Sequence, residues 1–251
     1  LYTEDKAGNL SIDDIQNADF SIYQRLQKGR INLGFSDSVY WFRIKIKNKK
    51  TVPVTWVLES KYPLLDYITL YIPEEFGFVE INSGDRLPFK TMPSGHFNFA
   101  SVITSPPGDS VIFLQVKTEG AVIVKLRAWD RESFINNTFT DISLLWLFYG
   151  IVITVFIYNL FVFVTSGDKL YLVLSLFIFS SVMFTFIHNG MARKYFWPDM
   201  PLWANYSLVL FAFITVGLFL KFTQMIFDTK SNSRIIHRII TGNPSLFSGF
   251  E

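Results

Sequence analysis

The feature that most constrains this chain is Ile142–Gly167, 26 consecutive residues without a charge, ISLLWLFYGIVITVFIYNLFVFVTSG. About 20 apolar residues in a helix cross a hydrocarbon core about 30 Å thick, so this run is long enough to span. Trp146 and Tyr149 stand near its start, where amphipathic rings favour the membrane interface. A soluble helix of this length would carry a polar face, which this run lacks. Two further uncharged runs follow, Leu170–Ala192 and Met200–Leu220. The sequence therefore predicts three transmembrane helices at about 142–165, 170–190 and 201–221, in a membrane region of 138–230. Residues 231–251 are expected to be a cytoplasmic tail or the shortened start of a fourth helix.

Residues 1–137 have the mixed composition of a soluble domain, expected on the extracytoplasmic side. Residues 1–30 read as an irregular polar lead-in with one early strand. In Val39–Lys47, Tyr40, Phe42, Ile44 and Ile46 alternate with Trp41, Arg43, Lys45 and Lys47, which is the period of a strand with one buried face. Further strands are predicted at Val54–Leu58, Leu65–Ile72, Phe78–Ile81, Phe97–Ile103, Val111–Lys117 and Val122–Trp129. Short strands separated by Pro and Gly, with no clear helical period, indicate an all-β antiparallel sandwich rather than a parallel α/β fold.

Charge and motifs exclude several functions. A net charge of +2 with no basic stripe does not fit a nucleic-acid binder. The chain has no cysteine, which removes disulfides and thiolate chemistry. It contains no nucleophile elbow, phosphate loop, dinucleotide turn or zinc-protease motif, and its three histidines lie in different segments. No catalytic residue, metal site or cofactor is expected. The chain begins at Leu1 without an apolar leader, so either a signal peptide has been removed or the sequence starts inside a longer one.

Candidate binding residues come from aromatic rings beside hydrogen-bonding groups. Tyr67, Thr69 and Tyr71 share one strand face, and Trp41 shares one with Arg43. Such a surface suits sugar stacking, and aromatic β-formers on a second sheet face more commonly pack under a neighbouring loop or sheet edge. In the membrane region Asn159 is a mid-depth amide, fitted either to helix packing or to signal transmission. His188 and Asn189, at the outer end of the second span, either meet the sandwich or a ligand or are solvated. Lys169, Lys221, Lys230, Arg234 and Arg238 outnumber Arg193 and Lys194, which places the sandwich outside by the positive-inside bias.

Several stretches together carry a family resemblance: Asn32–Arg43, Tyr62–Tyr67, Gly84–Phe89, Tyr149-Gly150, Tyr158–Phe161, Asp168–Tyr171, His188–Gly190 and Tyr195–Asp199. In this order they resemble the bacterial seven-transmembrane receptors with diverse intracellular signalling modules (7TMR-DISM), with the type 2 extracellular domain and the first three membrane helices. The resemblance implies a periplasmic jelly-roll-like, carbohydrate-binding-like domain for carbohydrate or another small ligand. It also implies a helix bundle in the inner membrane and a cytoplasmic output domain. Asp66, Asp85 and Arg86 lie in these stretches and join Trp41, Arg43, Tyr67 and Tyr71 as candidate ligand contacts; Gly84-Asp85 is also a turn signal. The expected partners are the lipid bilayer and a small extracytoplasmic ligand, with a homodimer left open and no nucleic acid. After Arg238 the family would enter a fourth span, whereas Ile239–Glu251 is broken by Gly and Pro. The output domain would lie beyond residue 251, and a fragment or a shortened gene are the readings of that end. A membrane-anchored binding or adhesion module without signalling is the alternative.

Overall fold

The alternation in Val39–Lys47 becomes the long β3 strand of a two-sheet sandwich in the computed structural model, which describes residues 1–25 and 31–227. Lys230, Arg234, Arg238 and the tail 231–251 lie outside the described residues. The strands are β1 (Tyr2–Asp5), β2 (Ile31–Phe35), β3 (Val39–Asn48), β4 (Val54–Ser60), β5 (Tyr67–Glu74), β6 (Gly77–Ser83), β7 (Phe99–Ser105), β8 (Gly108–Lys117), β9 (Ala121–Val124) and β10 (Leu126–Trp129). The helices are α1 (Ile12–Asn17), α2 (Arg131–Ser166), α3 (Lys169–His188), α4 (Met191–Tyr195) and α5 (Pro201–Ile226). The chain packs as two units, one of Leu1–Thr140 with Ile187–Asn205, the other of Asp141–Phe186 with the described residues from Tyr206.

In the first unit a five-stranded sheet runs β1-β3-β8-β5-β6, a three-stranded sheet runs β10-β4-β7, and β2 pairs with β9. All named pairings are antiparallel. Because side chains alternate along a strand, Phe42, Leu70 and Leu114 turn into the core from neighbouring strands, meeting Leu58 and Ile103 of the smaller sheet. Full burial of one such side chain stabilises the fold by about 1.5–3 kcal/mol.

The other face of the five-stranded sheet is also covered. Val39, Trp41, Tyr71 and Phe113 pack there with Ile15 and Tyr23. The N-terminal segment is thus a cover rather than an irregular lead-in. Ser11 and Asp14 close a capping box on α1, and the Tyr23 hydroxyl donates to the carbonyl of Ile15 at 2.7 Å. A helix of six residues has too few turns to show a period in sequence.

The second unit holds the bodies of three helices long and apolar enough to cross a membrane, Arg131–Ser166, Lys169–His188 and Pro201–Ile226. Gly167 ends α2 at φ 70°, its amide donating to Phe163 O at 2.8 Å. The Asp168 carboxylate then accepts from the Leu170 amide at 2.9 Å, starting α3. Within the unit Thr215 of α5 donates to Ser180 of α3 at 3.1 Å, and Tyr149 packs edge-on against Phe186 at 5.2 Å.

Candidate functional site

The sandwich and the connector between α3 and α5 meet inside the first unit, at the strand ends marked by Ser60, Tyr67 and Lys117. Here Gly84–Phe89 folds back on Tyr62–Tyr67. The Asp85 amide donates to Leu65 O at 2.8 Å and the Arg86 amide to Asp66 O at 3.2 Å. Gly84 permits this approach: φ is 142°, and a Cβ would lie 2.1 Å from Asp66 O.

The connector is seated on this turn. Phe89 donates its amide to Pro198 O at 2.7 Å. Arg193 Nη2 reaches Leu87 O at 2.8 Å, and Lys194 Nζ reaches Gly95 O at 2.9 Å. Asn205 Nδ2 donates to Asp85 O at 3.4 Å. Gly190, at φ 73°, lets the chain pass where a Cβ would stand 3.0 Å from Pro63 Cβ.

Charge is buried at this junction. Asp66, Asp85 and Arg193 are 7%, 6% and 5% exposed. Asp66 accepts from the Glu119 amide at 2.6 Å, Thr118 Oγ1 at 3.3 Å and Arg86 Nε at 3.3 Å. Arg86 also pairs with Glu119 at 2.6 Å. Asp85 is less well served, its Oδ1 having no hydrogen-bond partner among the described residues. Burial first, then the Asp66 carboxylate, push Asp85 up to about 7, against Arg193 and Asn205. Burial likewise lowers Arg193 to about 10, with Asp85 opposing. Burial and the same two carboxylates raise the Tyr62 hydroxyl. Asp85 can therefore gain or lose a proton in a site where each state requires a different surrounding charge.

A second buried carboxylate anchors the exit strand. Glu59 is 2% exposed and accepts from Asn98 Nδ2 at 3.1 Å and Trp129 Nε1 at 2.8 Å. Trp129 ends β10, with one residue, Asp130, between it and the start of α2 at Arg131.

The predicted site residues are thus divided. Asp66, Asp85 and Arg86 come together, the two carboxylates buried and Arg86 half-buried, bridging Asp66 to exposed Glu119. Trp41 is fully buried and stacks on Tyr71 at 5.4 Å, so neither ring offers a face to solution; the N-terminal cover is the reason. Arg43 lies 4.3 Å from the Phe20 ring, held by that same segment. Tyr67 is 46% exposed, beside Thr69, which donates to Asn82 at 2.8 Å. In the second unit Asn159 is buried and donates to Val155 O of its own helix at 2.8 Å. His188 is exposed at the end of α3 and Asn189 half-buried, at the start of the connector. Arg193, Asn205, Thr118 and Glu59 were not legible as site residues: Arg193 meets Leu87 across 106 residues of chain, and no local pattern marks such a pairing. Among the described residues, no three His, Asp or Glu side chains cluster as metal ligands would.

Residues 1–130 match the family described as 7TMR-DISM extracellular 2. Residues 141–249 match the one described as 7TM diverse intracellular signalling. No curated protein matches the chain.

Proposed function

This chain belongs to the 7TMR-DISM family of membrane sensory receptors, with an extracellular N-terminal domain and membrane-crossing helices, and from that premise we propose that it is the sensing and relaying part of a bacterial inner-membrane receptor. The sandwich binds a small ligand outside the cytoplasm, and the seated connector passes the change to α3 and α5. Carbohydrate is the ligand class that the family resemblance implies, and exposed Tyr67 is the ring still available for stacking. A catalytic output domain belongs to the cytoplasmic side of such receptors.

One observation carries this reading. The connector Ile187–Asn205 packs in one unit with the sandwich, and it does so over buried charge. Arg193 and Lys194 of the connector donate to Leu87 O at 2.8 Å and Gly95 O at 2.9 Å, and hydrogen bonds from charged groups contribute about 1.5–3 kcal/mol each. A junction with such a term has two well-separated states, docked and released, and a ligand that binds one better shifts the population.

The test is hydrogen exchange of the full chain in lipid nanodiscs, titrated with a panel of neutral and acidic sugars. A sugar that protects the sandwich should also change exchange across residues 187–205. Protection of the sandwich with an unchanged connector would overturn the relay and leave an anchored binding module.

A further inference from the structure

At the strand ends opposite the charge cluster, the two sheets part and leave a groove of about 510 Å³. Ile44 and Ile46 of β3, Val54 and Trp56 of β4, and Ala128 of β10 supply its apolar lining, and Lys49 and Lys50, just after β3, stand beside it. We propose that this groove binds a soluble single-chain amphiphile with an anionic head, such as a medium-chain fatty carboxylate.

Size, polarity and charge converge on that class. Small-molecule sites are about 300–1,000 Å³ and mostly apolar, with a few placed polar groups. The two neutral polar side chains of this wall are already bonded within the protein. Asn48 Nδ2 donates to Val52 O at 2.9 Å and to Ser105 O at 3.1 Å, and its Oδ1 accepts from the Lys50 amide at 3.0 Å. Ser105 Oγ accepts from Trp56 Nε1 at 2.8 Å. Both residues are buried. A neutral sugar would find apolar contact here and little to pair its hydroxyls.

The lysines present the opposite chemistry. Lys45 and Lys47 turn to the other face of β3, Lys45 to 5.2 Å from the Phe20 ring and Lys47 to Asp109 at 3.9 Å. Lys49 and Lys50 form no ion pair among the described residues. The Lys49 and Lys50 ammonium groups beside an apolar recess complement a carboxylate on an apolar chain. A bilayer is a poorer occupant, because membrane-binding faces project their apolar side chains and this lining is recessed. The site is independent of the Tyr67 surface and of the connector, so it goes beyond the sensor reading.

The experiment is photo-crosslinking of the full chain in nanodiscs, with octanoate bearing a diazirine on its chain and mapping by mass spectrometry. Labels should fall in β3, β4 and β10. Competing carboxylates from six to ten carbons should gain about fourfold in affinity per methylene until the groove is filled. Lys49→Glu with Lys50→Glu should weaken competition by at least about tenfold. Ala128→Trp, at an exposed position, should fill the groove and abolish labelling, while sandwich hydrogen exchange stays unchanged in both variants. Labelling elsewhere, equal competition by the neutral octanamide, or the same labels from a diazirine-bearing phospholipid would each overturn the proposal. Competition by glucose or another neutral sugar would overturn it too, and assign the groove to carbohydrate.

Discussion

The two ends of the sandwich are made by the same strands, yet they handle charge in opposite ways. At one end Asp66 and Asp85 of the sandwich and Arg193 of the connector are withdrawn from water. At the other, lysines stay in solvent beside an apolar groove. Exposed charges contribute little to stability, whereas buried ones contribute or cost several kcal/mol according to their partners. A sandwich end closed over charge is therefore suited to switching, and an end left open with charge outside is suited to capture.

The sharpest way to break this contrast is one substitution made at both ends. Gly84 and Gly108 both hold positive φ. A Cβ at Gly84 meets the Asp66 carbonyl, whereas at Gly108 nothing lies within 4 Å. Gly84→Ala should destabilise the first unit by more than about 4 kcal/mol, and Gly108→Ala by about 1–2 kcal/mol of backbone strain alone. Hydrogen exchange of β5 and β6 in nanodiscs measures both, and equal losses would mean that the Gly84 turn is not closely packed.

Acid comes next. The folded first unit keeps Asp85 protonated up to about pH 7, whereas the unfolded chain ionises it near 3.9. Between those values the folded state binds more protons, so stability falls as pH rises. The contribution is fully present below about pH 4 and lost on passing pH 7, a span worth about 4 kcal/mol. Asp85→Asn should flatten that slope, and the open end should add none. An unchanged slope in the variant would move the titration elsewhere.

Charge removal separates the ends further. Arg193→Met takes away the Leu87 contact and the charge that opposes protonation of Asp85. The expected cost is about 3 kcal/mol, the upper range for one hydrogen bond from a charged group, read as exchange about 100-fold faster at the Phe89 amide that holds Pro198. Smallest of all, Lys47→Ala should change stability by less than about 0.5 kcal/mol, since its ion pair with Asp109 is exposed. A larger loss in thermal unfolding would show that the open end is also held by charge.

Much of the sandwich was legible in the sequence. Alternation in Val39–Lys47 set which side chains of β3 enter the core, and Pro and Gly marked the turns between strands. The N-terminal cover was not legible, because Ile15 and Tyr23 lie in short irregular stretches whose apolar residues show no period. Trp41 and Tyr71 follow the packing reading of their face: their outward position was legible, and contact with Ile15 and Tyr23 buries them. Tyr67, four residues from Tyr71 along β5, is not among the residues packed with that cover and stays exposed.

The sequence by itself determined the division into a β-rich extracellular part and membrane-crossing helices, because strand alternation and uncharged length are local properties. It also determined that Gly84-Asp85 would turn. Only the tertiary structure decided that Asp85 lies beneath Arg193, that Glu59 holds Trp129, and that lysines stand beside an open groove. Burial and pairing depend on residues far apart in the chain, and the free energy of a charge depends on what surrounds it.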